Sequence, residues 1–228
     1  NPNIELIQIQ HHYAHILSVM AEHKLDKEVL GIAFDGTGYG DDGNIWGGEV
    51  FIANKSTYKR VNHIKYFKLL GGEMAVKEPK RVALSLLFDN FTLDEILLMD
   101  NSCVKAFKIN EIKMFHTMWQ KALNTPLTSS VGRLFDAIAS FADILQTQSY
   151  EGETGLQIEQ YYDASIKENY SYEISHNQID LSLMIKEIIL DNDKKLICSK
   201  FLNTIVKIIE DLSNTYKNLP LVISGGVF

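Results

Sequence analysis

FDGTGYGDDGNIWGGE, residues 34 to 49, is the most informative stretch of this sequence. The apolar run VLGIAF at 29–34 has the length of a buried strand, so the pattern predicts a strand that ends in a glycine-rich turn. The DDGN tetrapeptide at 41–44 is typical of a hairpin, and a further strand is expected over 46–53. Asp35 then lies at the carboxyl end of the first strand, where open α/β sheets place ligands. This position makes Asp35 a candidate metal ligand.

Three histidines lie upstream, at the start of a helix predicted over 12–23. His11 and His15 are four residues apart, so on a helix they share a face and can present two imidazoles to one metal ion. His12 lies about 100° around the helix from His11 and should point elsewhere. It is suited either to bond a substrate phosphate or to pack against the protein.

The rest of the chain is predicted to be mostly helical before it returns to a sheet. Strands are expected over 5–10, 58–67 and 219–224, and helices over 77–88, 93–99, 112–122, 130–145, 153–162, 181–190 and 195–216. The last strand leads into Gly225 and Gly226, whose backbone N–H groups could cradle a phosphate. We therefore expect an α/β fold with a helical insertion, divided into an α/β lobe (1–75) and a helix-rich lobe (76–228).

Further candidates begin two of the predicted helices. Gly132 and Asp136 follow the serines at 129 and 130, and Glu159 follows the turn at 150–152. Helix initiation and a turn explain these residues equally well on the sequence alone.

Composition excludes several classes of function. The net charge of -7 comes from interspersed acidic and basic residues, so no basic surface for nucleic acid is expected. No apolar run is long enough to span a membrane. Cys103 and Cys198 stand alone, which argues against a disulfide framework and favours a reducing, cytoplasmic compartment. The chain begins with Asn1 and ends just after a glycine pair, so we expect it to be part of a longer protein.

Six segments, taken in order, resemble the carbamoyltransferase half of the hydrogenase maturation factors of the HypF family. They are QHHYAH at 10–15, FDGTGYGDDGNIWGGE at 34–49, KEPKRVALSLL at 77–87, SSVGRLFDAIA at 129–139, SYEGE at 149–153 and SGGVF at 224–228. The resemblance covers nearly the whole chain. It implies an actin/Hsp70-type (ASKHA) nucleotide-binding fold that is incomplete at both ends, with the fourth metal ligand beyond this chain.

The resemblance also implies roles for the candidate residues. His11, His15 and Asp35 would bind iron or zinc. From its position beside them, we expect His12 to be catalytic together with Asp35. Residues assigned to ATP or AMP are Asp136 and Glu159 at the ribose, and Gly132, Gly225 and Gly226 at the glycine turns.

The implied reaction moves a carbamoyl group from carbamoyl adenylate, made from carbamoyl phosphate and ATP, to the C-terminal cysteine of a HypE-type maturation protein. The product would supply the cyanide ligands of [NiFe]-hydrogenase. Other interpretations are a metal hydrolase, a tRNA-modifying carbamoyltransferase, or a module that only binds a partner. We expect this chain to be inactive by itself.

Overall fold

The central strand, β1 (Val29–Tyr39), is flanked on both edges by other strands and carries helices on both of its faces. A computed structural model describes residues 8–228. In chain order the elements are α1 (His11–Glu22), β1 (Val29–Tyr39), β2 (Ile45–Ala53), β3 (Tyr58–Ile64), β4 (Phe67–Lys68), α2 (Met74–Lys77), α3 (Pro79–Asn90), α4 (Leu93–Leu98), α5 (Ser102–Lys105), α6 (Ile109–Gln120), β5 (Leu127–Thr128), α7 (Val131–Phe141), α8 (Glu153–Gln160), β6 (Glu173–Ser175), β7 (Gln178–Asp180), α9 (Ser182–Ile188), α10 (Lys194–Thr215) and β8 (Leu221–Ser224).

The strands form one mixed, open sheet. β1 pairs antiparallel with β2 and parallel with β8, and β2 pairs antiparallel with β3. β7 and β6 extend the sheet beyond β3, and the short strands β5 and β4 pair at the start of β2. Strands from the last hundred residues thus join strands from the first seventy-five in one sheet. We retain the division into lobes at residue 75 as a proposal.

Alternation along β1 decides which helix packs on which face, because successive side chains of a strand point to opposite faces. Val29 and Ala33 face α1, whose buried residues Ile16 and Met20 lie in the same cluster. A Cβ on Gly31 would lie 2.8 Å from Ile16, so this glycine lets the helix approach the sheet. The opposite side chains of β1 belong to the larger core, with residues from α3, α7 and α10: Leu30, Ile32 and Phe34.

The glycine-rich segment after Phe34 differs from the expectation. The sequence predicts a turn from Asp35 onward, but β1 continues to Tyr39, with an irregular register against β2 between Phe34 and Gly38. The prediction was wrong because glycine weakens a strand without preventing it when a partner strand supplies the hydrogen bonds. The hairpin predicted over 41–44 is confirmed, since the Gly40 N–H donates to the Asn44 carbonyl at 2.9 Å.

Other element boundaries also shift. The strand predicted over 58–67 is two strands, β3 and β4, and the helix predicted over 130–145 ends at Phe141, two residues before Asp143 adopts a positive φ of 54°. The β6–β7 hairpin, which turns at His176 and Asn177 with positive φ, was not predicted. The strand predicted over 5–10 lies mostly outside the described residues. Within the described part of the chain, no helix is both long and apolar enough to cross a membrane.

Candidate active site

Two histidines and one carboxylate converge at the start of α1, and we call this group the histidine corner (His11, His15 and Asp35). His11 Nε2 lies 3.0 Å and His15 Nε2 lies 3.1 Å from the same oxygen, Oδ2 of Asp35. One ligand atom from each residue lies within 4.8 Å of the other two. The three side chains retain 47%, 31% and 18% of their surface, so the donors are accessible from solvent. The predicted ligands are therefore brought together by the fold.

Local structure fixes the orientation of the two histidines. The Gln10 side chain caps α1 by accepting the Tyr13 N–H at 2.8 Å, and it donates to the Tyr39 carbonyl at 3.2 Å. A cap that satisfies a free N–H group at a helix start stabilises that start. Because it also binds the end of β1, Gln10 joins the histidine helix to the strand that carries Asp35.

Asp35 is held as an anion. Partial burial favours its neutral form, but the contact with His11 and the Gly36 N–H, which donates to Oδ1 at 2.7 Å, outweigh burial and lower the pKa of Asp35 below its usual value. Oδ1 is thus occupied by the backbone, and Oδ2 faces the imidazoles.

This donor set fits a metal ion. Two imidazole nitrogens and one carboxylate oxygen, partly exposed, form the three-ligand pattern of catalytic zinc sites and the facial triad of non-haem iron sites. The chemistry of the donors does not choose between iron and zinc.

His12 lies beneath this group and is fully buried. Burial first, and then neighbouring charges beginning with His11, lower the pKa of His12 to about 4, so the ring is neutral. Its Nδ1 lies 3.1 Å from Gln10 Nε2, and a Cβ on Gly38 would lie 2.4 Å from its Cε1. The ring has no exposed atom with which to reach a phosphate in this conformation. Of the two interpretations left open, packing fits this placement, and the catalytic role stays a prediction.

A cleft of about 810 Å³ opens beside Asp35, between the end of β1 and helices α7, α8 and α10. Its lining combines glycines, charged side chains and apolar surface: Asp35, Gly36, Gly132, Arg133, Phe135, Glu151, Glu159, Leu202, Val206, Gly226 and Phe228. Such a mixture, mostly apolar with a few polar groups, is typical of a small-molecule site.

The residues assigned to nucleotide are distributed unequally around this cleft. Gly132, Glu159 and Gly226 line it. Gly225 lies behind, with a φ of 115°, and a Cβ there would lie 2.0 Å from the Phe34 carbonyl oxygen. Only glycine allows the chain to pass this close to β1 in that conformation.

Asp136 differs from the expectation of a direct ribose contact. It is 1% exposed and accepts a hydrogen bond from the Thr154 hydroxyl at 2.7 Å. Burial raises its pKa to about 6, with Arg133 acting in the opposite direction. We call Arg133, Asp136 and Thr154 the buried wall. Asp136 lies within this wall rather than on the cleft surface, because α7 turns its side chain toward α8.

Sequence reasoning missed the residues that brace the hairpin. Glu49 is fully buried and accepts the N–H groups of Gly47 and Gly48, both at 3.2 Å, and the Ser129 hydroxyl. Arg60 pairs with Glu49 and stacks 4.1 Å from the Trp46 ring. An acidic residue directly after paired glycines, inside an apolar strand, was the available signal.

The hairpin aspartate Asp42 has a structural role here. It accepts the Trp46 indole N–H at 2.9 Å and contacts Arg60 and Tyr66. Partial burial raises the pKa of Asp42, but hydrogen bonds from Tyr66, Asn44 and Trp46 outweigh burial and lower it to about 2.

The open mixed sheet with its glycine-lined cleft matches solved Kae1-like domains, which places the fold in the ASKHA class. A family model described as "Carbamoyltransferase, Kae1-like Domain, second subdomain" matches residues 31–228, and one described as "HypF Kae1-like domain" matches residues 1–22. The chain belongs to the HypF family of Kae1-like carbamoyltransferase domains.

Individual relatives and solved structures agree with this family assignment. The chain is 37% identical over 250 aligned positions to carbamoyltransferase HypF of Synechocystis sp., covering 100% of this chain and 32% of that protein. A crystal structure of full-length HypF in a phosphate- and nucleotide-bound form matches with a TM-score of 0.87 at 34% identity, covering 100% of this chain and 37% of that one. HypF from T. kodakarensis matches with a TM-score of 0.83 at 32% identity, over 99% and 31% of the two chains. The predicted family and fold class are confirmed, and the chain spans about a third of these relatives.

Proposed function

We propose that this chain carries the transfer site of a carbamoyltransferase that acts in [NiFe]-hydrogenase maturation in the reducing cytoplasm. The donor is carbamoyl adenylate, made from carbamoyl phosphate and ATP, and the acceptor is the C-terminal cysteine of a HypE-type partner. One observation carries the proposal: Asp35 belongs both to the histidine corner and to the lining of the glycine-lined cleft. The relatives are named as carbamoyltransferases, which supports carbamoyl transfer as the class of reaction.

His11, His15 and Asp35 would hold an iron or zinc ion, which when bound supplies a Lewis acid for a carbonyl or phosphoryl oxygen. The ionised carboxylate of Asp35 contributes charge as well as a donor atom. The resemblance implies a fourth ligand beyond this chain, so these three residues are the ligands that this chain would supply. Their donors are partly exposed, which would leave the ion accessible to substrate.

The cleft residues orient the donor. Glu159 and the glycine at 226 line the space assigned to the nucleotide, and the apolar side chain of Phe228 lines one side and stacks 5.6 Å from Phe34. Binding the nucleotide half there would place the carbamoyl carbon beside the histidine corner. Positioning of this kind lowers the barrier by removing the entropy cost of encounter.

In the transfer step the acceptor thiolate attacks the carbamoyl carbon. The thiol has given its proton to solvent before this attack. A carbon–sulfur bond forms, the carbon–oxygen bond to phosphate breaks, and AMP leaves with the electron pair. The thiocarbamate product is then the precursor of the cyanide ligand. The chain supplies orientation and electrostatic stabilisation, and the partner supplies the nucleophile.

The test is a transfer assay on the full-length protein, with carbamoyl phosphate, ATP and a peptide that ends in the partner's C-terminal cysteine. We expect the peptide to gain one carbamoyl group by mass spectrometry, and Asp35→Asn to lower the rate by about 100-fold or more, since a metal ligand is weakened. Asp26→Asn, an exposed carboxylate distant from the cleft, is the matched control and should be unaffected. Full activity in Asp35→Asn, or carbamate release without peptide modification, would contradict the proposal.

A further inference from the structure

Arg133 is a buried cation whose hydrogen-bonding capacity is incompletely used. Its side chain is 3% exposed, and it lies in the first turn of α7, where the Arg133 N–H donates to the Ser130 hydroxyl at 3.0 Å. Its Nε lies 3.1 Å from Asp136 Oδ2 without hydrogen-bond alignment, and Nη1 has no partner among the described residues. A guanidinium carries five N–H donors, and leaving them unpaired in the interior is costly. Such a group calls for a ligand with acceptor oxygens.

The position of the guanidinium indicates where that ligand binds. Arg133 lines the same cleft as Asp35 and Gly36, and its Nη2 lies 3.8 Å from where a Cβ on Gly36 would stand. The Ser130 hydroxyl donates to the Gly36 carbonyl at 2.6 Å, and a Cβ on Gly132 would lie 2.7 Å from the Gly36 Cα. These contacts fix the start of α7 against β1, so the cation is held beside the histidine corner.

Among the described residues, no charged group pairs with the side of the Arg133 guanidinium that faces the cleft. Asp136 approaches the Nε edge from inside the wall, and Thr154 holds that carboxylate in place. Glu151 lines the cleft, with Oε1 3.2 Å from the same Cβ position on Gly36, but it makes no ion pair with Arg133 within the described residues. A planar guanidinium matches an anion that presents two oxygens, which favours phosphate over a neutral group.

We propose that Arg133 binds the phosphate oxygens of the nucleoside monophosphate half of the donor and so makes the cleft selective for AMP over adenosine. This inference rests on the proposed function, because it names the group that recognises the leaving phosphate at that same site. Arg133 then stabilises the negative charge that grows on AMP as the carbon–oxygen bond breaks.

Calorimetry with AMP and with adenosine tests the proposal on wild type, Arg133→Gln and Arg133→Lys. The unmodified chain should bind AMP more tightly than adenosine. Arg133→Gln should lose about 10- to 100-fold in AMP affinity, as expected for a charged hydrogen bond, and keep its adenosine affinity. Arg133→Lys should recover part of the loss, because it restores the charge without the fork.

Arg81→Gln is the matched control, since Arg81 pairs with Glu78 and lies over the Phe115 ring, outside the cleft. It should bind both ligands as the unmodified chain does. Equal loss of AMP and adenosine in Arg133→Gln, an unchanged AMP affinity, or no preference for AMP in the unmodified chain would each overturn the inference. If AMP selectivity depends on Arg133 but the transfer assay fails, the proposed function falls and this inference stands.

Discussion

The histidine corner and the buried wall adjoin the same cleft but are built in opposite ways. In the corner, His11, His15 and Asp35 are partly exposed, and the Nε2 atoms of both histidines lie 3.0 to 3.1 Å from one oxygen of Asp35. In the wall, Arg133 and Asp136 retain 3% and 1% of their side-chain surface. Their charges are therefore stabilised by neighbouring protein groups rather than by water.

This difference separates two kinds of recognition. Exposed donors that converge with no protein atom between them suit an ion, which exchanges with water. Buried charges that leave N–H groups unpaired suit a polyatomic anion whose oxygens complete the pairing. The corner and the wall should therefore respond differently to substitution. Three experiments test this, and a fourth probes residues outside both regions.

The largest effect is expected in the corner. His11→Ala or His15→Ala should each abolish stoichiometric metal binding, because each removes one of the three ligands that this chain supplies. Elemental analysis of protein loaded with iron or zinc measures this. His23→Ala, just beyond the end of the same helix, is the control and should bind metal normally. Full metal content in either ligand variant would remove the ligand assignment.

Steric pressure on the corner should produce the next largest effect. A Cβ on Gly38 would lie 2.4 Å from His12 Cε1 and 2.8 Å from His11 Cδ2. Gly38→Ala should therefore displace α1, lower the free energy of unfolding by about 1–3 kcal/mol and weaken metal binding. Urea unfolding and metal titration are the measurements. Gly155→Ala, where the nearest atom would be 3.9 Å away, should not destabilise the protein, and equal behaviour of the two variants would refute this packing argument.

In the buried wall, we expect the free energy of unfolding to depend on pH. Burial raises the pKa of Asp136 to about 6, above its ordinary 3.8, so the folded state favours the protonated form. Its contribution to stability is complete below about pH 4 and declines as pH rises toward 6. Asp136→Asn should remove this decline, which is on the order of 1–3 kcal/mol. Comparing urea unfolding of both proteins at pH 4 and pH 7 isolates it, and parallel pH profiles would contradict the raised pKa.

The smallest effect is expected outside both regions. Cys103 and Cys198 are fully buried, and burial raises each thiol pKa to about 12, so neither forms a thiolate near neutral pH. The Cys103→Ala, Cys198→Ala double variant should transfer carbamoyl groups within about twofold of the normal rate, provided that it folds. Intact-mass analysis of the chain during turnover is the second measurement. A carbamoylated cysteine on this chain, lost in the folded double variant along with transfer, would exclude direct transfer to the partner.

The local sequence pattern was sufficient to predict those features that depend only on residues close together in the chain. The four-residue spacing of His11 and His15 placed them on one face of a helix, and the DDGN tetrapeptide marked the hairpin. The apolar run at 29–34 located β1. These features follow from the periods of helix and strand and from turn chemistry, which need no information from the rest of the molecule.

Which side chains are buried and which groups pair could be read only from the tertiary structure. Whether His12 faced substrate or the core depended on Gly38 and Trp46 packing against it, and Asp136 turned inward because Thr154 lies on the neighbouring helix. The extension of β1 through its glycines depended on β2 as a partner. The sequence by itself determined which residue types stand at helical, strand and turn positions, because those preferences are local. Only the tertiary structure decided which charges are buried, which are paired and which face the cleft, because desolvation and pairing depend on segments that are distant in the chain.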